Sequence, residues 1–192
     1  MSANGLEVFD KTVQTTNIWL DDIMQTIGPE RRVAWKVLST VLHKLRDRLP
    51  VELAANLSAE LPLLVRGVYY DQYQPARQPT RYDLEEFTDE VAEWLRDTRP
   101  VDPRDAMRAV FATLSAHVPR GQIAKVQDAL PKKLRDFWLD AEEGVVPPPE
   151  QGEAGRYGES RAFSESEDER RLTMEDLGRG RVGSGMGASP SL

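Results

Sequence analysis

The chain has 192 residues, a net charge of −7 at pH 7 and no cysteine. This length suits one folded domain with an appendage, and the missing cysteine excludes disulfides, thiolate metal ligands and cysteine nucleophiles. An acidic chain does not favour general binding to a phosphate backbone, so nucleic acid is not expected as a partner.

The N-terminal stretch MSANGLEVFDKTVQTTNIWL carries Glu7 and Asp10 and lacks the apolar run of a signal peptide. No stretch of the chain reaches the roughly 20 consecutive apolar residues of a membrane helix. We therefore expect a cytoplasmic protein that does not enter a membrane.

Apolar residues recur with helical spacing from about residue 5 to residue 141. One stripe has the i, i+3, i+4 rhythm of a core-facing helix: Val37, Leu38, Val41, Leu42, Leu45 and Leu49. A second stripe consists of Phe87, Val91, Trp94 and Leu95. No alternating strand pattern competes with them, so the sequence predicts an all-α fold.

Helix starts are marked by capping residues. Asp83 followed three positions later by Glu86 is a capping-box pattern, and Asp102-Pro103 places a capping carboxylate before a proline. Gly28-Pro29 is expected to mark the start of the second helix in a similar way.

One pattern occurs twice, as LPVELAANLSAELP at residues 49–62 and VPRGQIAKVQDALP at residues 118–131. A shift of 69 residues aligns Leu42 with Phe111, Leu45 with Leu114, Pro50 with Pro119, Pro62 with Pro131, Arg66 with Arg135 and Tyr69 with Trp138. A proline ends the helix before it and suits the start of the next. The sequence thus predicts an internally duplicated helical bundle of two halves, each of about four helices. The halves are residues 5–70 and 83–141, with a connector at residues 71–82.

This arrangement of striped helices ending in RLP or VP, short helices ending in LP, and an arginine before an aromatic resembles a known family. The family is the bacterial and archaeal one catalogued as the domain of unknown function numbered 2267, and the resemblance covers roughly residues 5–141. It implies an all-helical, duplicated, cytosolic domain. It implies no reaction, cofactor or catalytic residue.

The residues themselves predict no catalytic or metal site. His43 and His117 belong to no His-Glu-x-x-His pattern. His43 lies one helical turn before Asp47 and is expected to be an exposed or capping histidine that can pair with it.

Acidic residues are concentrated on the helix that carries Phe87: Glu85, Glu86, Asp89, Glu90 and Glu93. Paired carboxylates perform acid–base chemistry only where burial separates their pKa values. Because the apolar stripe faces inward, these acids are expected on a solvated face.

One short segment holds Tyr70, the last residue of the first half, together with Tyr73, Arg77, Arg81 and Tyr82 of the connector. Tyrosine and arginine are common in recognition surfaces, so these five residues are candidates for binding a protein partner. The alternative interpretation is a stiff strap whose tyrosines pack over the junction of the halves.

Residues 143–192 hold nine of the thirteen glycines and the run Pro147-Pro148-Pro149, which predicts a disordered tail. Leu172, Met174 and Leu177 are candidates for a docking helix that folds on a partner; alternatively the tail only solubilises the protein. Gly178 to Gly183 spells G-x-G-x-x-G but lacks a strand before it, so no dinucleotide cofactor is expected.

Three functional classes follow. A non-catalytic binding or assembly module comes first, because the sequence supplies a scaffold and recognition-type segments without a catalytic set. A small-ligand protein comes second, with a pocket between the halves lined by Trp19, Trp35 and Trp94. An enzyme comes third. The oligomeric state does not follow from the sequence.

Overall fold

The computed structural model describes residues 7–81 and 83–143, which form eight α helices and no strand. The helices are α1 (Glu7–Ile27), α2 (Arg31–Arg48), α3 (Val51–Ala59), α4 (Leu63–Tyr69), α5 (Leu84–Leu95), α6 (Pro103–His117), α7 (Arg120–Asp128) and α8 (Lys132–Glu142). The predicted all-α fold is confirmed. The predicted disordered tail lies outside the described residues from position 144 onward.

Both predicted aspartate caps are present. The Asp83 carboxylate accepts the Glu86 N–H at 2.9 Å, and the Glu86 carboxylate accepts the Asp83 N–H at 3.0 Å. Asp102 accepts the Arg104 N–H at 2.7 Å, and Pro103 is the first residue of α6. These bonds satisfy amides that a helix start leaves unpaired, which is why α5 and α6 begin where they do.

The α1–α2 junction differs from the prediction. Gly28 has a φ of 100° and closes α1 through its N–H, which donates to Met24 O at 2.9 Å. The N-cap position of α2 is Glu30, two positions after Gly28. A Cβ at position 28 would lie 3.0 Å from the Arg99 guanidinium, so both backbone and space favour glycine there.

The four repeated prolines stand at helix starts, as predicted. The N-cap positions of α3, α4, α7 and α8 are Pro50, Pro62, Pro119 and Pro131, with φ between −57° and −54° and ψ between 134° and 147°. Each proline is thus the extended residue immediately before the first residue of its helix.

Eight pairs of apolar residues related by the 69-residue shift are buried in both halves. The buried pairs are Val37 and Ala106, Leu38 and Met107, Val41 and Val110, Leu42 and Phe111, Leu45 and Leu114, Leu49 and Val118, Leu61 and Leu130, and Tyr69 and Trp138. The paired arginines also act alike, since Arg66 donates to Leu61 O at 3.1 Å and Arg135 donates to Leu130 O at 3.4 Å.

The helix packing has a matching pattern. Helix α1 packs against α6, and α5 packs against α2; likewise α4 packs on α2 and α8 on α6, while α2 contacts α6 and α3 contacts α7. Exchanging the two halves maps these contacts onto each other. A duplication would produce this pattern, and the duplication stays a prediction that superposition of the halves would test.

Candidate recognition surface

The connector lies against the C-terminal end of α2. Thr80 donates through both its N–H and its Oγ1 to Asp47 O at 2.8 Å, and Gln78 Nε2 donates to Arg46 O. Between them and α4 the chain makes a single 3₁₀ turn, Pro75–Arg77. The last carbonyls of a helix have no partner within it, so the connector caps α2 and is fixed to it.

Arg46 is the buried anchor of this arrangement, with 3% of its surface exposed. Its Nη1 donates to Tyr69 O and, at 2.9 Å, to Asp71 O, while its Nε donates to Asp47 Oδ1 at 2.7 Å. The guanidinium carbon lies 4.9 Å from the centroid of the Tyr73 ring. A buried charge needs such partners, and through them α2 holds the first residues of the connector.

Three tyrosine rings form a row that ends at the surface. Tyr70 lies edge-on to Tyr69 at 5.3 Å and to Tyr73 at 5.4 Å between centroids, and it is 37% exposed. Its hydroxyl is 2.8 Å from Ser58 Oγ, and the Tyr73 hydroxyl donates to Gln78 Oε1 at 2.6 Å. Burial raises the pKa of the Tyr73 phenol, so it is neutral at pH 7. The Tyr70 ring is therefore held in place by these contacts and exposes part of its surface to solvent.

Two arginines follow this row in the chain. Arg77 ends the 3₁₀ turn and Arg81 follows four residues later, and both side chains are exposed. Arg48, the last residue of α2, is half-buried, and its pKa is lowered by burial and then by the positive charge of Arg81. The end of the connector at Arg81 therefore lies near the end of α2 at Arg48.

The connector surface, as we name it, consists of Tyr70, Tyr73, Arg77 and Arg81. The predicted candidates Tyr82, Leu172, Met174 and Leu177 lie outside the described residues. The strap interpretation is compatible with this geometry, because Tyr73 and Gln78 contribute to fixing the connector on α2.

His43 is buried, with 7% of its surface exposed, so of the two predicted alternatives the exposed histidine is wrong. Its Nε2 donates to Val68 O at 2.6 Å, and Trp94 lies edge-on to the imidazole at 6.0 Å. Asp47 accepts a hydrogen bond from Arg46 rather than pairing with His43. Burial lowers the pKa of His43 despite the bond to Val68, so the ring is neutral at pH 7.

His117 joins the two halves, which the sequence analysis missed. Its Nε2 lies 2.6 Å from Asp22 Oδ2 on α1, and its ring stacks on Trp19 at 5.4 Å between centroids. The partners are 95 residues apart in the chain, so no local pattern could indicate them. The pair ties the end of α6 to α1.

The acidic face of α5 is solvated except at Glu90. Lys44 has a side chain only 9% exposed, and its Nζ donates to Glu90 Oε2 at 2.6 Å; the Glu90 side chain is 42% exposed. Lys44 also lies 4.9 Å from the centroid of Trp94, which is 37% exposed rather than directed into the core. The predicted solvated face therefore includes one acid that neutralises a buried cation.

The three tryptophans expected around one pocket lie apart. Trp19 is buried in the core, Trp94 is exposed on α5, and Trp35 lines a groove between the halves that neither of the others reaches. Their hydrophobic positions were predicted from helical periodicity, which gives the inward face of each helix but not the neighbour it meets.

Among the residues that the structure describes, no group of three or more histidine and carboxylate side chains is placed to hold a metal ion. None of the helices that the structure describes is long and apolar enough to span a bilayer.

Comparison with known proteins links the fold to a family. Residues 16–137 match the sequence family described as an uncharacterized conserved protein, DUF2267. The matched span includes residues from all eight helices. No curated protein matches the sequence. The matched span also includes the whole connector.

Proposed function

The chain belongs to the DUF2267 family of uncharacterized conserved proteins, and from the geometry of the connector we propose that it is a non-catalytic protein-binding module. It recognises its partner through the connector surface, Tyr70, Tyr73, Arg77 and Arg81. The observation that carries this proposal is that the start of a connector with exposed tyrosine and arginine side chains is hydrogen-bonded to a buried arginine, Arg46.

Preorganisation supports a binding role. The backbone on both sides of the exposed residues is tied down, by Arg46 at Tyr69 and Asp71 and by the end of α2 at Thr80. A partner then does not need to order this segment when it binds, which lowers the cost of association. An exposed tyrosine with neighbouring arginines is the composition from which binding hot spots are commonly built.

The charge of the surface indicates the kind of partner. The connector carries two exposed cations, Arg77 and Arg81. Guanidinium groups bind carboxylates through paired, charge-assisted hydrogen bonds. We therefore expect an acidic surface on the partner, and an association rate that falls as salt is added.

Affinity capture from the native host tests this proposal. The wild type, an Arg77→Ala/Arg81→Ala variant and an Arg120→Ala/Lys125→Ala variant are compared, because the latter pair is exposed on α7 and carries the same charge change. We expect the connector variant to lose a partner that both other proteins retain, with truncated anchors costing about 2 kcal/mol or more. Retention of every partner by the connector variant would contradict the proposal.

The tail is a second proposed route to a partner, through Leu172, Met174 and Leu177. A chain that ends after Glu143 separates the two routes, since it keeps the connector and removes all three residues. If only this shortened chain loses the partner, the tail and not the connector binds it.

A further inference from the structure

An open groove between the halves combines apolar and charged side chains. It is lined by Leu20 of α1, residues 30–33, 35 and 36 at the start of α2, and residues 97–99 after α5, and its volume is about 720 Å³. Ligand pockets of proteins fall in the range of roughly 300–1,000 Å³. We name this feature the hinge groove, because it lies at the α1–α2 junction.

The floor of the hinge groove is apolar. Leu20 and Val33 belong to the core, and Trp35 packs against it while staying partly accessible. An indole ring at such a position offers a flat surface for an aromatic or aliphatic group.

Two of the four cations at the groove already have partners. Arg31 donates to Asp21 at 2.7 Å and to Asn17 at 2.6 Å. Arg99 pairs with Glu30 at 3.1 Å and donates to Ile27 O at 2.5 Å, which ties the segment after α5 to the end of α1. These contacts fix the side chains of Arg31 and Arg99 at the sides of the groove and neutralise their charges.

The other two cations are Arg32 and Lys36, one helical turn apart on α2. Within residues 7–81 and 83–143, neither side chain has an acidic partner, and Lys36 only lies 5.7 Å from the Trp94 ring centroid. Asp97 is the one acid at the groove without an ion pair among the described residues. Like charges four residues apart on a helix repel, and an anion between them would remove that repulsion.

The geometry points to a binding site for a small amphipathic anion: a carboxylate or phosphate held by Arg32 and Lys36, with its apolar group against Trp35. This site is separate from the connector surface, and its ligand differs in kind from a protein partner. Nothing in the proposed protein-binding role depends on it.

Nuclear magnetic resonance tests the site on the ¹⁵N-labelled full chain. The probes are 2-naphthoate and 2-naphthyl phosphate, with neutral 2-naphthamide and inorganic phosphate as matched controls. We expect the two aromatic anions to shift the Trp35 indole signal and the Val33 and Thr98 amides saturably. 2-Naphthamide lacks the negative charge and inorganic phosphate lacks the apolar ring, so both should bind more weakly than the aromatic anions.

Charge variants complete the test. In Arg32→Gln/Lys36→Gln the aromatic anions should bind about tenfold more weakly, as loss of charge-assisted hydrogen bonds implies. The variant Arg120→Gln/Lys125→Gln has the same net charge and should bind like the wild type. The inference is overturned if the naphthamide binds equally well, if both variants lose affinity equally, or if the shifts map elsewhere. Thermal unfolding of each variant confirms that it is folded.

Discussion

Glu90 illustrates how one contact changes the expected effect of a mutation. Its carboxylate is half-exposed, but its partner Lys44 is buried. The Glu90→Ala substitution leaves that ammonium unpaired, so we expect a loss of about 1 to 2 kcal/mol in unfolding free energy. Asp89→Ala, on the exposed face of the same helix, should change it by no more than about 0.5 kcal/mol. Urea unfolding measures both, and equal effects would contradict the importance of the Lys44 pair.

His43 gives the unfolding free energy a predictable pH dependence. Its pKa is lowered in the folded state from its ordinary value of 6.5, chiefly by burial. The unfolded chain therefore binds a proton more readily, and stability is lost as the pH falls below about 6.5. His43→Gln keeps an N–H donor for Val68 O without the titration. Between pH 7 and pH 5 its unfolding free energy should fall less than that of the wild type; parallel curves would contradict this assignment.

At the residue scale the sequence predicted much of the apolar core but not the buried polar residues. Leu42 and Leu45 are buried as their stripe predicts, and His43 is buried against expectation. The sequence did not single out Arg46, which is also buried. The carbonyl of Asp71 that it binds is 25 residues away, and Lys44 and Glu90 are 46 residues apart. Such pairs depend on how helices pack, which spacing within a single helix does not determine.

At the scale of elements, the connector depends on Arg46. Arg46→Met fills similar space but leaves the carbonyls of Tyr69 and Asp71 without their donor. We expect a loss of about 2 to 4 kcal/mol in unfolding free energy, and faster hydrogen exchange at the Thr80 amide. Arg120→Met on α7 is the control, and its unfolding free energy should match that of the wild type. Unchanged exchange at Thr80 would show that the connector holds without Arg46.

Helix starts with local causes were the easiest elements to predict. Asp83, Asp102 and the four prolines act within three or four residues, so the sequence displays both the signal and its result. Gly28 was misjudged because a glycine with positive φ closes the helix before it, and the next helix then starts after a short bend. The exposed position of Trp94 reflects its packing against Lys44, a contact between α5 and α2.

At the scale of the whole molecule, the predicted duplication makes a definite geometric claim. Superposing residues 37–69 on residues 106–138 should bring Pro62 onto Pro131 and Arg66 onto Arg135. The shared burial and the exchanged helix contacts support this expectation. If the two prolines fall at unlike places after superposition, the halves are not copies of one unit.

We expect the chain to bind a protein through its connector surface, and site-specific photo-crosslinking detects such a contact at a chosen residue. A benzophenone amino acid replaces Ala76, the exposed neighbour of Arg77, in one protein and Ala124, exposed on α7, in another, and each is irradiated in the native host. We expect one discrete protein adduct from position 76, identified by mass spectrometry, and none from position 124. No adduct at position 76, or the same adducts from both positions, would contradict binding through the connector surface.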